Sequence, residues 1–223
     1  MGLNVSAIIP ALEAASSLAA TVQSIAGVDE MIVVDGGSTD DTQAVARRCG
    51  ARVIEAPRGR GGQLAAGAAQ ARGVWLLFLH ADTVLDPAWT DDVARFTTDP
   101  RSAAMAAVFR FALDGPSAQA RRLERTVNWR ARILGLPYGD QGLLIGRAFY
   151  EQLGGYRPLP LMEDVDLVRR IGRKRIVHFD TAARTSSIRW RQDGWWRRSI
   201  RNVACLSLYF AGVSPRAIHK LYR

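Results

Sequence analysis

The 223-residue sequence is almost without lysine: only Lys174 and Lys220 are lysines among its 30 basic residues. Nearly all of its positive charge is therefore guanidinium, which suits bidentate contact with phosphate and carboxylate. It is also poor in cysteine. Cys49 and Cys205 stand far apart, with no CxxC spacing and no obvious metal partner. That excludes a disulfide scaffold and fits a reducing compartment. No apolar run reaches the roughly 18 residues needed to cross a bilayer. The stretch Met1–Pro10 has neither a basic n-region nor an apolar segment of signal length, so a cytoplasmic location is expected. Internal repeats and low-complexity linkers are missing too, and the expectation is a single domain over residues 1–223. Hydrophobic residues make up 48% and charged residues 23%, a globular composition.

The net charge of +9 is unevenly spread. Residues 1–120 hold 9 Arg/Lys against 13 Asp/Glu, a net of −4, and residues 121–223 hold 21 against 8, a net of +13. An anionic partner is expected for the second half: a phosphorylated substrate, a lipid headgroup or nucleic acid. In the tail, Ile200, Val203, Leu206, Leu208, Tyr209 and Phe210 lie among Arg197, Arg198 and Arg201. Such a mixture could form an interfacial helix, with peripheral contact at an anionic membrane face.

Hydrophobic patterning predicts four strand–helix units in a row. The strands are 4–9, 31–34, 52–55 and 74–79; the helices are 14–25, 39–49, 63–71 and 87–97. Such a succession predicts an α/β fold with a mostly parallel, Rossmann-like sheet. Residues 104–113 break the pattern and read as an antiparallel or edge strand. Further expected elements are a helix over 117–134, a strand at 143–145, a helix at 148–153, a helix from Val165 to Ile171 and a strand over 175–179.

In open parallel sheets ligands bind at the carboxyl ends of strands, so chemistry is expected in the turn after each strand. After the first comes Pro10-Ala11-Leu12-Glu13; no GxGxxG is present, which argues against a dinucleotide cofactor. After the second comes Asp35-Gly36-Gly37-Ser38-Thr39. Asp35 could accept from a nucleobase imide or ribose hydroxyls, and Gly36 would let a ligand approach the backbone, while Ser38 or Thr39 caps the next helix. After the third, Arg58 and Arg60 flank glycines ahead of a helix, which suits an anion. The loop lacks the Gly-Lys-Ser/Thr ending of a P-loop, which excludes ATP hydrolysis of that type. After the fourth comes His80-Ala81-Asp82, where Asp82 would hold Mg²⁺ or Mn²⁺ against a diphosphate. The plainer readings are a solvated basic loop and a loop aspartate. Glu163 and Asp164 open a helix; they are either helix-start acids or a general base for an acceptor hydroxyl. Ser187-Ile188-Arg189-Trp190-Arg191 offers guanidiniums and an indole to a diphosphate or a sugar, or is a strand end with surface arginines.

SAIIPALEA, IVVDGGSTDDT, LLFLHADT and PLMEDVDL resemble the successive motifs of family 2 glycosyltransferases. GRGGQLAAGA, YGDQGLLI, LMEDVDLVRR and WRQDGWWRR are similar to a smaller bacterial branch, the arsenosugar-biosynthesis or radical-SAM/selenodomain-associated glycosyltransferases. The resemblance covers residues 4 to 215 and implies a GT-A fold and inverting transfer of one sugar from a nucleotide-sugar, a UDP-sugar, to a hydroxyl acceptor, with no nucleic-acid partner. It places Pro10, Glu13 and Asp35 at the nucleoside and Arg189-Trp190 as a shortened QxxRW counterpart, and the polar turns add Gly36, Arg58, Arg60 and Ala81 around the donor. Asp82 becomes the metal ligand and Asp164, with Glu163, the catalytic base. Asp140 and Gln141 lie between donor and acceptor. The division implied is a nucleotide-sugar half (1–115), an acceptor and catalytic half (116–190) and a basic amphipathic tail (191–223). His80 stands where many relatives carry the first Asp of a DxD motif, and Arg189-Trp190 lacks the Gln of QxxRW, which argues against long-polymer synthesis. The alternatives are a sugar-phosphate nucleotidyltransferase, which would show a Gly-rich phosphate loop after the first strand, and a non-enzymatic anion or membrane-surface binder.

Overall fold

A computed structural model describes residues 2–115, 117–188, 190 and 194–222. Four strands with intervening helices come first: β1 (Val5–Ala11), α1 (Ala15–Ser24), β2 (Glu30–Asp35), α2 (Thr42–Arg48), β3 (Arg52–Glu55), α3 (Arg60–Gln70) and β4 (Trp75–Phe78). Then follow β5 (Thr83–Leu85), α4 (Trp89–Thr98), β6 (Ala106–Leu113), α5 (Ala118–Leu134), β7 (Leu143–Gly146), α6 (Arg147–Gln152), α7 (Glu163–Ile171) and β8 (Ile176–Thr185). Two helices close the described chain, α8 (Trp195–Phe210) and α9 (Pro215–Tyr222).

The strands form one sheet in the order β3-β2-β1-β4-β7-β6-β8-β5. β3, β2, β1 and β4 are mutually parallel, as the succession of strand–helix units predicts. β7 inserts antiparallel between β4 and β6. β6 runs parallel to β8, and β5 runs antiparallel to β8 at the outer edge. β6 is thus antiparallel on one side, as expected, but it is an interior strand, not an edge. Seven of its eight residues are buried. Arg110, the partly exposed one, suggested a solvated face. It lies beside a register shift in the β6–β8 pairing, and its Nε donates to the Asp180 carbonyl at 3.1 Å.

Alternate residues feed two cores. Ile9, Val33 and Leu77 pack on one side with Leu18 and Val22 of α1 and Val93 and Phe96 of α4. Ile8, Val34 and Leu76 pack on the other with Leu64 and Ala68 of α3 and Leu167 and Val168 of α7. Helices cover both faces, so polar chemistry is confined to the strand tips.

α2 begins at Thr42, three residues later than expected, because Ser38, Thr39 and Asp40 are engaged in the turn itself. Asp40 accepts from the Thr42 amide and hydroxyl, and Ala14 N donates to Thr42 Oγ1 at 2.8 Å. α3 begins at Arg60 instead of Gln63, and β8 runs six residues past Phe179. The tail is two helices. On α8, Cys205 is buried, while Trp196, Ile200 and Val203 are exposed. No described helix is long and apolar enough to cross a membrane.

Candidate active site

The tips of β1, β2 and α3 are tied together by side chains. Glu13 takes a left-handed backbone (φ 50°), and its Oε1 accepts from Thr39 N at 2.7 Å and from Thr39 Oγ1 at 3.1 Å. Glu13 N donates to Ser38 Oγ at 3.0 Å. Gln63 Nε2 donates to the carbonyls of Ala11 (2.9 Å) and Val34 (2.8 Å), stitching α3 onto both strands. Gly36 lies against that amide, and a Cβ there would be 3.0 Å from Gln63 Nε2.

Asp35 is 0% exposed. Its carboxylate accepts from Ser38 Oγ, Ser38 N (3.0 Å), Gly37 N (3.2 Å) and Gln43 Nε2 (2.9 Å). Burial pushes its pKa up, but these donors outweigh it and hold the group below the usual carboxylate value. The carboxylate expected to meet a nucleoside is therefore occupied: a ligand could reach it only by replacing one of its own donors. Ser38 serves Asp35 and Glu13 and is not a helix cap.

Two cavities meet at the strand tips. The larger, about 550 Å³, is lined by Pro10, Glu13, Arg58, Arg60, Ala81 and Asp82, with Gln63 and His219 completing it. The smaller, about 160 Å³, holds Arg60, Asp82, Asp140, Glu163, Asp164 and Trp190. Arg60, His80 and Asp82 line both. Asp35 and Gly36 line neither; they sit behind the wall. Gln141 is also off the wall, buried, with Nε2 on the Phe109 carbonyl at 3.1 Å. Arg189 lies outside the described residues. Trp190 is buried beyond the end of β8 and stacks on Trp195 with centroids 6.0 Å apart, so it is not a strand end.

The carboxylates of the smaller cavity are placed by close backbone approaches. Met162, left-handed at φ 68°, precedes α7 and directs Glu163 and Asp164 from its first turn. Neither acid is the N-cap. Glu163 is 3% exposed and pairs with Arg60 Nη1 at 3.3 Å. That pairing needs α3 and α7 to abut, and Gly61 permits it: a Cβ there would fall 2.2 Å from the Arg157 carbonyl oxygen. Burial drives the Glu163 pKa up to about 7, with Arg60 opposing and Asp164 reinforcing. Asp164 Oδ2 accepts from Gly139 N at 2.8 Å and Oδ1 from Val165 N at 2.9 Å. A Cβ on Gly139 would lie 2.6 Å from His80 Nε2, so only glycine lets the 139–141 turn pass between His80 and Asp164. His80 Nε2 is 3.4 Å from Arg60 Nη1. Burial pushes Asp140 to about 6, against Arg130 and Arg60 and with Asp164 and Asp82. Its Oδ1 is buried without a hydrogen-bond partner among the described residues.

A hard divalent cation is tested against this donor set. Among the described residues no three His, Cys, Asp or Glu side chains form a metal cluster. Mg²⁺ typically uses one or two carboxylates, several waters and substrate phosphates. Asp82, lining both cavities, fits a cation whose remaining ligands come with a diphosphate. Gln63, Tyr138, Asn202, His219 and Tyr222 line the cavities and were not singled out in the sequence. Gln63 alone had a signal, its place in the GRGGQ stretch.

A family model described as "Glycosyl transferase family 2" matches residues 6–151. Glucosyl-3-phosphoglycerate synthase of Mycolicibacterium paratuberculosis is 33% identical over 97 residues, which span 37% of this chain and 30% of that protein. A PGL/p-HBAD biosynthesis glycosyltransferase of Mycobacterium tuberculosis is 41% identical over 101 residues, 40% of this chain and 39% of that one. These curated relatives are thus matched over only a third or so of their own length. Among solved structures, glucosyl-3-phosphoglycerate synthase from M. tuberculosis, in complex with Mn²⁺, UDP and glucosyl-3-phosphoglycerate, aligns with TM-score 0.58 and 23% identity over 82% of this chain and 70% of that chain. S. aureus TarS 1-349 aligns with TM-score 0.64 and 18% identity over 93% and 66%. At these identities the structural likeness establishes the fold, the expected GT-A type.

Proposed function

Given that this chain belongs to glycosyl transferase family 2, and is thereby a glycosyltransferase, we propose that it transfers one sugar, with inversion, from a UDP-sugar to a hydroxyl acceptor. The observation that carries this reading is the shared wall: Arg60 and Asp82 belong both to the 550 Å³ cavity and to the cavity of Asp164. A donor lying in the first would bring its diphosphate to Arg60 and Asp82 and its sugar to Asp164.

In this scheme the larger cavity takes the nucleoside against Pro10, Glu13 and Ala81, with Asp35 and Gly36 shaping the floor from behind. Arg58 and Arg60 face the diphosphate. Asp82 would hold Mg²⁺ or Mn²⁺, which supplies positive charge to the departing diphosphate. The support for a divalent cation and a uridine donor is that structural neighbours carry Mn²⁺ or Mg²⁺ with UDP. Asp164, half-buried and anchored by two amides, removes the acceptor proton. The acceptor oxygen bonds to the anomeric carbon as its bond to the diphosphate oxygen breaks, and UDP leaves with the electron pair. Glu163 holds Arg60 in place and relinquishes it when the diphosphate arrives. Asp140 faces the acceptor, and Trp190 flanks the sugar.

The division is blurred at the tail, since His219 reaches the donor cavity and Asn202, Cys205 and Tyr222 line that of Asp164. The motifs GRGGQLAAGA and YGDQGLLI support placement in the arsenosugar or radical-SAM-associated branch. The unpaired Cys49 and Cys205 suit a cytoplasmic location, while the comparisons lend no support to contact with a membrane. The nucleotidyltransferase alternative loses its basis with PALEA after β1 and the family match.

The test is a donor-hydrolysis screen across nucleotide-sugars with Mg²⁺ or Mn²⁺. UDP release from one UDP-sugar, abolished by EDTA and restored by metal, is the expected result. UTP plus sugar-1-phosphate turning over in place of every nucleotide-sugar would overturn it.

A further inference from the structure

A third cavity, about 360 Å³, opens between α5 and α8. That is within the size range of small-molecule sites, about 300 Å³ upward. Its walls are mainly apolar, with Leu123 and Val127 from α5 and Trp195, Trp196, Val203 and Leu206 from α8, and Arg122 and Arg130 of α5 border them. Four residues, Tyr138, Asp140, Trp190 and Asn202, line both this pouch and the cavity of Asp164. The pouch is therefore the continuation of the reaction cavity on the side away from the donor.

Its throat carries a carboxylate. Asp140 sits there, and its Oδ1 is a buried acceptor with no donor among the described residues. Such an atom costs free energy unless a ligand supplies the missing hydrogen bond. The same throat has indole walls, with Trp190 and Trp195 stacked. A hydroxyl at one end of an apolar molecule meets both demands, since its O–H donates to Asp140 while its hydrocarbon fills the pouch.

We propose that the pouch receives the apolar body of the acceptor, an alcohol or phenol carrying an alkyl chain or ring, with its hydroxyl held at Asp140 and turned towards Asp164. This rests on the transferase reading above. It separates the chain from its relatives named for phosphoglycerate, a small anion that has no apolar group to place there.

The probes are 1-butanol, 1-hexanol and 1-octanol, with binding read from tryptophan fluorescence and transfer read as alkyl glycoside by mass spectrometry in the presence of the hydrolysed donor. Wild type is expected to bind roughly threefold tighter per added methylene until the pouch is full. Ser199→Phe, which fills the pouch from α8, should weaken octanol at least tenfold and leave butanol and donor hydrolysis within twofold. Thr126→Phe, on an exposed position of α5, does the same from the opposite wall should the first variant fail to fold. Equal affinity for butanol and octanol, or octanol binding unchanged in both filling variants, overturns the proposal. So does efficient transfer to 3-phosphoglycerate with none to octanol. Absence of hydrolysis of any donor strikes the transferase reading instead, and is distinguished because alkanol binding is measured without donor.

Discussion

Replacing Glu163 with Gln should change how stability depends on pH. In the folded chain the Glu163 carboxyl is 3% exposed and its pKa lies near 7, against an ordinary 4.5. Between those values the folded state holds a proton that the unfolded chain has lost, so stability falls as pH rises. The group's contribution is fully present below pH 4.5 and gone above about pH 7. At about 1.36 kcal/mol per pH unit, the gap amounts to about 3 kcal/mol. The amide of the Glu163→Gln variant would keep the packing and carry no proton equilibrium. Arg60, whose side chain is 44% exposed, would lose its partner but stay hydrated. The assay is urea unfolding of both proteins from pH 4.5 to 8.5. The wild-type stability relative to the variant should drop by about 3 kcal/mol across that range and level off above pH 7. A difference that stays flat within about 0.5 kcal/mol, or that rises, refutes the reasoning.

Asp164→Asn should lower the rate of transfer by roughly 10²–10⁴-fold while donor affinity, measured by UDP-sugar titration, stays within a few-fold; near wild-type rates would remove Asp164 as the base. Gly139→Ala forces a Cβ to within 2.6 Å of His80 Nε2 and should cut kcat with thermal unfolding lowered by about 1–3 kcal/mol equivalent. Gly61→Ala meets the Arg157 carbonyl at 2.2 Å, backbone that has little freedom to yield; it should destabilise by at least as much and weaken donor binding, since it pries Arg60 from Glu163. Gln63→Leu strips hydrogen bonds from the buried carbonyls of Ala11 and Val34, at a cost of about 1–3 kcal/mol in chemical denaturation.

The parallel half of the fold was legible because MIVV and VWLLFL are continuous apolar runs, and NVSAII a mostly apolar one, between helical periods, and such short runs suit strands covered on both faces. β5 was not, since three residues after HAD carry no periodicity, and their strand character comes only from pairing with Thr185, Arg184 and Ala183. The end of β8 was lost for a related reason: Asp180 and Thr181 look like a turn, yet Thr181 is held by Asp92 of α4, a partner 89 residues away. Of the two readings of residues 104–113, antiparallel or edge, the pairing with β7 meets the first, while the edge reading fails because one arginine in an apolar run mimics a solvated face.

In the site, the positions of charged residues were visible as polar turns after each strand, and Asp82, Glu163 and Asp164 do gather at one cavity. Their surroundings were not visible. Asp35 reads in sequence as a free carboxylate, and only the fold shows Ser38, Gln43 and two amides already on it. His219 and Tyr222 reach the cavities from the last helix, and nothing in AIHKLY announces that.

In the scheme proposed above, the cross-ties among Glu13, Thr39, Ser38, Asp35 and Gln63 mean that the groove taken for the donor is built before any donor arrives. Little loop ordering is left for the ligand to impose, so its binding energy is free to act on the bond being broken. Changes in those tying residues should therefore blunt capture of every nucleotide-sugar alike, and a preference for one sugar over another must be written elsewhere, on the side of Asp164 and the indoles.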